Sequence, residues 1–230
     1  MVEAQHRVST MKLVDSLEEQ ELLEALLETS KPPFPPECRH LDWLLATPFR
    51  YAALYPTGSR FRRAGMTPGV FYAAEALATA VAEMAFYRLL FFADSPATPW
   101  PVNPGEYTAF GILYATSRAI DLTGPPFLEQ RDVWTHPTDY AGCQTLADTA
   151  RTAGVEVIRY ASVRDPAGGA NLALLSARAF AAPEPQERQT WRLRLGPHGV
   201  MAIGEFPPCR LNFGRDAFPD PRLAGMRWER

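Results

Sequence analysis

Glu83 is the most conspicuous chemical group in the sequence. It falls in the apolar run "ALATAVAEMAF", with no basic residue three or four positions away to pair with it on a helix. Such a carboxylate has two readings. It is a boundary acid whose head reaches solvent or a distant cation, or it is an acid kept free of local partners so that it can face a ligand. Upstream, "GSRFRRAG" holds Arg60, Arg62 and Arg63, and Tyr72 follows. Guanidinium clusters are either solvated faces or phosphate sites, since the planar fork matches phosphate oxygens and keeps its charge when desolvated. If the segment is a strand, Arg60 and Arg62 share one face and Arg63 takes the other.

Other chemistries find little support. His6, His40, His136 and His198 are isolated among loop-type residues, and none is taken as catalytic despite the favourable pKa of imidazole. Cys38, Cys143 and Cys209 are odd in number and form no C-x-x-C pair, so they suggest neither a disulfide framework nor a zinc site. That usage fits a reducing cytoplasm, and no metal is expected. No dinucleotide-binding G-x-G-x-x-G follows a strand, and no Walker loop, nucleophile elbow or H-E-x-x-H helix is present.

The bulk numbers restrict the partners. The chain of 230 residues has 47% apolar and 21% charged residues and a formal net charge of −3. It should fold around one sizeable core. It lacks the basic excess that would draw it to nucleic acid or acidic membranes. The most apolar stretch, residues 76–93, is interrupted by Glu83 and Arg88, so no membrane segment is expected. The acidic N-terminus has no apolar core like that of a secretory signal.

The elements that must position these groups follow from periodicity. Residues 10–30 space Met11, Leu13, Val14, Leu17, Leu22, Leu23, Leu26 and Leu27 as an amphipathic helix packing on the main body. The prolines of "KPPFPPE" end it. "GVFYA" predicts a short strand leading into a helix from about Ala74 to Phe92. On that helix Leu77, Val81, Met84, Ala85, Leu89 and Phe92 form the apolar stripe, with Glu83 about 120° from its centre beside Ala76, Thr79, Ala80 and Tyr87. "YTAFGILYAT" (107–116) reads as a strand, and residues 141–153 as a helix closed by Gly154. "VEVIRYASV" (155–163) alternates so that Ser162 shares a face with Ile158 and Tyr160. "ANLALLSARAF" is a further strand, "WRLRL" and "VMAIGEF" form a hairpin about "GPHG", and a proline-rich tail follows. The result is a mixed α/β body of the α+β class.

Four segments in this order resemble a known family. The arginine turn at Arg60–Arg62, Tyr72 at the strand, "AVAE" ending at Glu83, and "YASVRDPAGGANLAL" with Ser162, Arg164 and Asn171 are similar to the RES-domain toxins of bacterial toxin–antitoxin pairs. The likeness covers about residues 45–180 and includes "HPTDYAGCQTLADTAR". Many members read "GGRW" where this chain has "GSRFRRAG", so Arg60 and Arg62 both stand as candidates for the arginine role. The N-terminal helix and the tail resemble the longer branch of the family.

The resemblance implies a fold like the ADP-ribosyltransferases, with residues 1–40 as a helical extension and 41–230 as a single domain. It implies NAD+ as the substrate and cleavage of the bond between nicotinamide and ribose. In that scheme Glu83 stabilises the positive charge developing at the ribose, and Tyr72 stacks on the nicotinamide. Arg60 or Arg62 holds the pyrophosphate, Ser162 orients the ribose or the carboxamide, and Asn171 completes the binding set. The resemblance further implies transfer of ADP-ribose to a cellular protein, such as a phosphoribosyl-pyrophosphate synthetase. The alternatives are simple destruction of NAD+ or, in another class, a non-catalytic nucleotide-binding module. An Xre-like antitoxin is the implied partner.

Overall fold

A computed structural model describes residues 1–3, 8–53, 56–65 and 67–230, so His6 lies outside the described residues. In chain order the elements are β1 (Val2–Glu3), α1 (Val8–Met11), α2 (Leu17–Thr29), α3 (Trp43–Arg50), β2 (Phe71–Ala74), α4 (Leu77–Asp94), β3 (Gly105–Phe110) and β4 (Ala119–Asp121). These are followed by α5 (Arg131–Trp134), α6 (Ala141–Thr152), β5 (Val157–Ala161), β6 (Ala170–Leu174), β7 (Arg188–Gly196), β8 (Gly199–Gly204) and β9 (Cys209–Phe213). The class is mixed α+β, as the sequence predicts.

Two sheets organise the fold. The larger is antiparallel in the order β1-β3-β7-β8-β9, and the smaller runs β2-β6-β5-β4, with only the β4–β5 pair parallel. Helix α4 packs Val81, Ala82, Ala85, Phe86, Leu89 and Phe92 against Trp191, Leu193, Val200 and Ala202 of the larger sheet. Each large apolar side chain buried in that layer contributes roughly 1.5–3 kcal/mol. The expected stripe is rotated slightly: Phe86 and Ala82 are buried, whereas Leu77 is exposed. Glu83 therefore lies at the border of the packed face, half-buried.

The smaller sheet is covered on both sides, which accounts for the near-continuous apolar character of its strands. Phe71, Val157, Leu172 and Leu174 meet Leu45 of α3 on one face. On the other, Ile158, Tyr160 and Ala173 meet Cys143, Ala147 and Ala150 of α6. Gly154 ends α6 with φ 74°, a conformation in which glycine has no Cβ to clash.

Several expectations are revised. The 10–30 helix is two helices, because Ser16 starts α2 afresh by accepting a hydrogen bond from the Glu19 amide. Rather than packing on the body, α2 buries no residue; Leu17, Leu22, Leu26 and Leu27 stay exposed. It is tethered near its C-terminal end, where Arg50 of α3 pairs with Glu28 and donates to the Pro32 carbonyl. The 107–116 strand stops at Phe110, since Leu113 and Ala115 turn to exchange backbone hydrogen bonds with Ala181 and Ala179. The tail beyond the hairpin is structured: it forms β9 and sends Phe218, Leu223 and Met226 into the core beside α4. Among the described residues no helix is long and apolar enough to cross a membrane.

Candidate functional site

The β-register brings the candidates to one face of the smaller sheet. Cross-strand partners share a face, so Tyr72 aligns with Ala173 and Ile158, and Asn171 aligns with Ala74 and Tyr160. Ser162 follows β5 on the same side as Tyr160. Helix α4 then delivers Glu83 to this face. Ser162 Oγ donates to Glu83 Oε1 at 2.7 Å, and Asn171 Nδ2 donates to the same oxygen at 2.6 Å. Both donors are buried and neutral, and Glu83 forms no salt bridge among the described residues. Its negative charge is thus oriented without being cancelled.

The loop between Ser162 and Asn171 is held to α4 by Asp165. Asp165 Oδ2 accepts from Thr79 Oγ1 at 2.6 Å and from the Gly169 amide at 3.2 Å, while Oδ1 accepts from the Ala167 amide at 2.9 Å. Ser162 Oγ in turn accepts from the amides of Arg164 and Asp165, which leaves its single proton for Glu83. A Cβ on Gly169 would fall on the Thr79 hydroxyl, well inside contact distance, so only glycine permits this approach.

The three arginines separate. Residues 59–62 form a tight turn closed by reciprocal Ser59–Arg62 backbone hydrogen bonds, and no strand holds Arg60 and Arg62 on one face. Arg60 is buried and donates to the carbonyls of Trp134 at 2.7 Å and His136 at 3.0 Å, with its guanidinium 4.8 Å from the Tyr140 ring centroid. Arg62 donates to the carbonyls of Tyr51 and Thr67, and its Nε is buried without a partner. Arg63 pairs on the surface with Asp148. The Arg60 and Glu83 charges both act on the phenols of Tyr160 and Tyr87, in opposite directions, whereas Arg62 acts on neither.

Those tyrosines mark the site electrostatically. Burial, together with the nearby Glu83 charge, pushes the Tyr160 phenol well above its ordinary value, and Arg60 opposes the shift. Burial first, then Tyr140 and Glu83, raise the Tyr87 phenol, although the Tyr87 ring is half exposed on the same side of α4 as Glu83. Tyr72 turns its hydroxyl back into the arginine turn, accepting from the Phe61 amide at 3.0 Å and sharing a hydrogen bond with Ser59 at 2.8 Å. Its pKa is raised by burial, against the pull of those hydrogen bonds and of Arg60 and Arg151. The ring itself stays accessible and lines a cleft of about 480 Å³ beside edge strand β2, with Leu77, Ala80, Phe110 and Leu172 also in its walls. Glu83 lies one turn beyond Ala80 on the same side of α4.

Two acceptors at the site have unused capacity. Glu83 Oε2 makes no hydrogen bond among the described residues, and Asn171 Oδ1 is buried without a partner. A buried acceptor such as Asn171 Oδ1 is rarely left so, and together with the free Glu83 oxygen it offers a place for donors such as hydroxyls. Of the residues singled out in the sequence, the structure brings Glu83, Ser162 and Asn171 into direct contact, and it adds Asp165, Tyr140 and Tyr160 around them, which the sequence did not single out. The alternation of β5 already placed Tyr160 on the Ser162 face; nothing local signalled the other two.

The two-sheet α+β fold thus presents an oriented carboxylate and an unpartnered amide oxygen, which can accept hydrogen bonds from hydroxyl groups. The RES domain family model matches residues 35–196, and the chain belongs to that family, which is known in toxin–antitoxin systems. No curated protein matches the chain in sequence.

Proposed function

We propose that this protein is the toxin of a toxin–antitoxin pair, and that it cleaves NAD+ at the nicotinamide–ribose bond and transfers ADP-ribose to a cellular protein. The observation that carries the reading is the Glu83 carboxylate, oriented through Oε1 by Ser162 and Asn171 and open at Oε2. A ribose offers hydroxyl donors to Glu83 Oε2 and to the orphaned Asn171 Oδ1. When nicotinamide leaves, it departs neutral with the bonding electrons, and positive charge develops on the ribose, as in glycosyl transfer. A fixed carboxylate whose charge no cation cancels stabilises that charge, and does so without reorganisation. The accessible ring of Tyr72 supplies an apolar face for the nicotinamide. Of the two candidate arginines, Arg60 supplies positive charge on the Glu83 side, and Arg62 secures the turn that carries it. An Xre-like antitoxin covering this cleft is the proposed partner.

Incubation of the protein and a cell lysate with NAD+ labelled on adenine tests the reading. Label on a protein band is expected; label found only in free ADP-ribose or its phosphate would make the enzyme a consumer of NAD+ without a protein target. Glu83→Gln should slow nicotinamide release on the order of 100-fold or more, the scale of losing one transition-state electrostatic contact. Release by Glu83→Gln at the native rate would overturn the assignment.

A further inference from the structure

The segment after residue 196 lies outside the family match, yet it reaches the site. Asp220, whose side chain is fully buried, pairs with Arg164 at 2.5 Å and, through both carboxylate oxygens, with Arg222 at 2.9 and 3.0 Å. Arg164 is two residues from Ser162. Both guanidiniums lie over the ring of Phe86, at 4.1 and 5.3 Å, and Phe86 is one turn from Glu83 on α4. Three donors then converge on the Pro137 carbonyl: Arg164 Nη2 at 2.5 Å, Arg222 Nη2 at 3.1 Å and the Tyr140 hydroxyl at 3.3 Å. Tyr140 is also the ring beneath Arg60. The tail thus meets the Ser162 loop, the Pro137–Tyr140 loop and α4 at a single junction.

Charge does not balance there. Arg60, Arg164 and Arg222 face one another across Tyr140 and Pro137, and Asp220 is the carboxylate that pairs with any of them among the described residues. Arg60 and Arg164 are buried and committed to carbonyls and, for Arg164, to Asp220, whereas the Arg222 side chain is 30% exposed and beyond Asp220 has only the Pro137 carbonyl and the neutral Tyr140 phenol as polar neighbours, with no second carboxylate among the described residues. A guanidinium held rigid by a bidentate carboxylate, and partly exposed beside two further cations, is pre-organised for an anion.

The geometry points to Arg222 as a phosphate-binding residue, aimed by Asp220 and backed by Arg60, in a subsite that the tail adds where it meets the Ser162 loop and α4. This deepens the NAD+ reading and rests on it for the identity of the ligand, a pyrophosphate within a dinucleotide; free phosphate shares the same chemistry. Positive charge at this end and the lone carboxylate at the other would set the direction in which an anion-bearing glycoside lies.

Calorimetric titration with inorganic pyrophosphate, and separately with ADP-ribose and with nicotinamide, tests the assignment on the full chain. Arg222→Gln should weaken pyrophosphate and ADP-ribose binding about tenfold or more and leave nicotinamide binding unchanged. Arg222→Lys, which keeps the charge but loses the fork, should fall between, and thermal melting of each variant verifies folding. If pyrophosphate binding depends on Arg222 while ADP-ribose does not bind the native protein, the subsite stands and the dinucleotide reading falls. Native-like pyrophosphate binding by a folded Arg222→Gln, or none by the native protein, overturns the subsite.

Discussion

Ser162 and Asn171 act on Glu83 as neutral donors, and neutrality is the point of the arrangement. A lysine in either place would hold the carboxylate as firmly but cancel its field. Asn171→Asp makes the logic measurable. Two carboxyls at 2.6 Å cannot both ionise cheaply, so one keeps a proton and donates it to the other, as the amide did. Nicotinamide release by Asn171→Asp, relative to the native protein, should therefore be best preserved at acid pH and decline as pH rises and the shared proton is lost; a flat ratio from pH 5 to 9 would contradict this. At this scale much was legible in the sequence. The missing i±4 cation singled out Glu83, and strand alternation put Ser162 on the Tyr160 face. That Arg60 would be buried while Arg62 serves the turn was not legible, because it depends on Trp134 and His136, more than 70 residues away in the chain.

The elements succeed or fail as positioning devices at the Thr79–Asp165–Gly169 contact, where the Ser162–Asn171 loop rests on α4. Gly169→Ala forces that loop outward. It should destabilise by about 1–3 kcal/mol, as overpacking does, and slow nicotinamide release further than the lost stability accounts for. Replacing Thr79 by alanine in the same chain should restore part of both by making room. The Asp220 junction has its own pH signature. Burial alone would raise the Asp220 carboxyl, but hydrogen bonds from Arg222 and the charges of Arg164 and Arg222 outweigh it and hold the pKa below the usual value. Its contribution is then present above the unfolded carboxyl value, near 4, and is lost as pH falls through the lower folded value. Denaturant titration should find Asp220→Asn about 3–5 kcal/mol less stable at neutral pH, with the gap narrowing below about pH 4. Periodicity gave α4, α6 and the β7–β8 hairpin close to their observed bounds. It gave no sign of β4, a three-residue strand whose one ladder among the described residues is with β5.

Across the whole molecule, sequence polarity misleads at both ends. The leucine-rich α2 looks like core and is not, while the proline-rich tail looks like an appendage and is core. The contrast is testable in one denaturation series. Leu22→Glu with Leu26→Glu should change stability by no more than about 0.5 kcal/mol, as exposed substitutions do. Phe218→Ala, which removes a ring stacked on Phe213 and set edge-on to Phe86, should cost about 3–5 kcal/mol. The reason is the same in both cases. Burial is decided by which surfaces remain uncovered after the sheets and α4 have packed, and local composition does not record that.

Trp134 sits where Arg60 is anchored: its indole is buried and donates to the Phe127 carbonyl at 2.8 Å, and its own carbonyl receives Arg60. Any ligand that draws on the Arg60 charge changes the electric field across that indole. In a variant whose other four tryptophans, Trp43, Trp100, Trp191 and Trp228, are replaced, a shift of the Trp134 emission should therefore report such a ligand without a label.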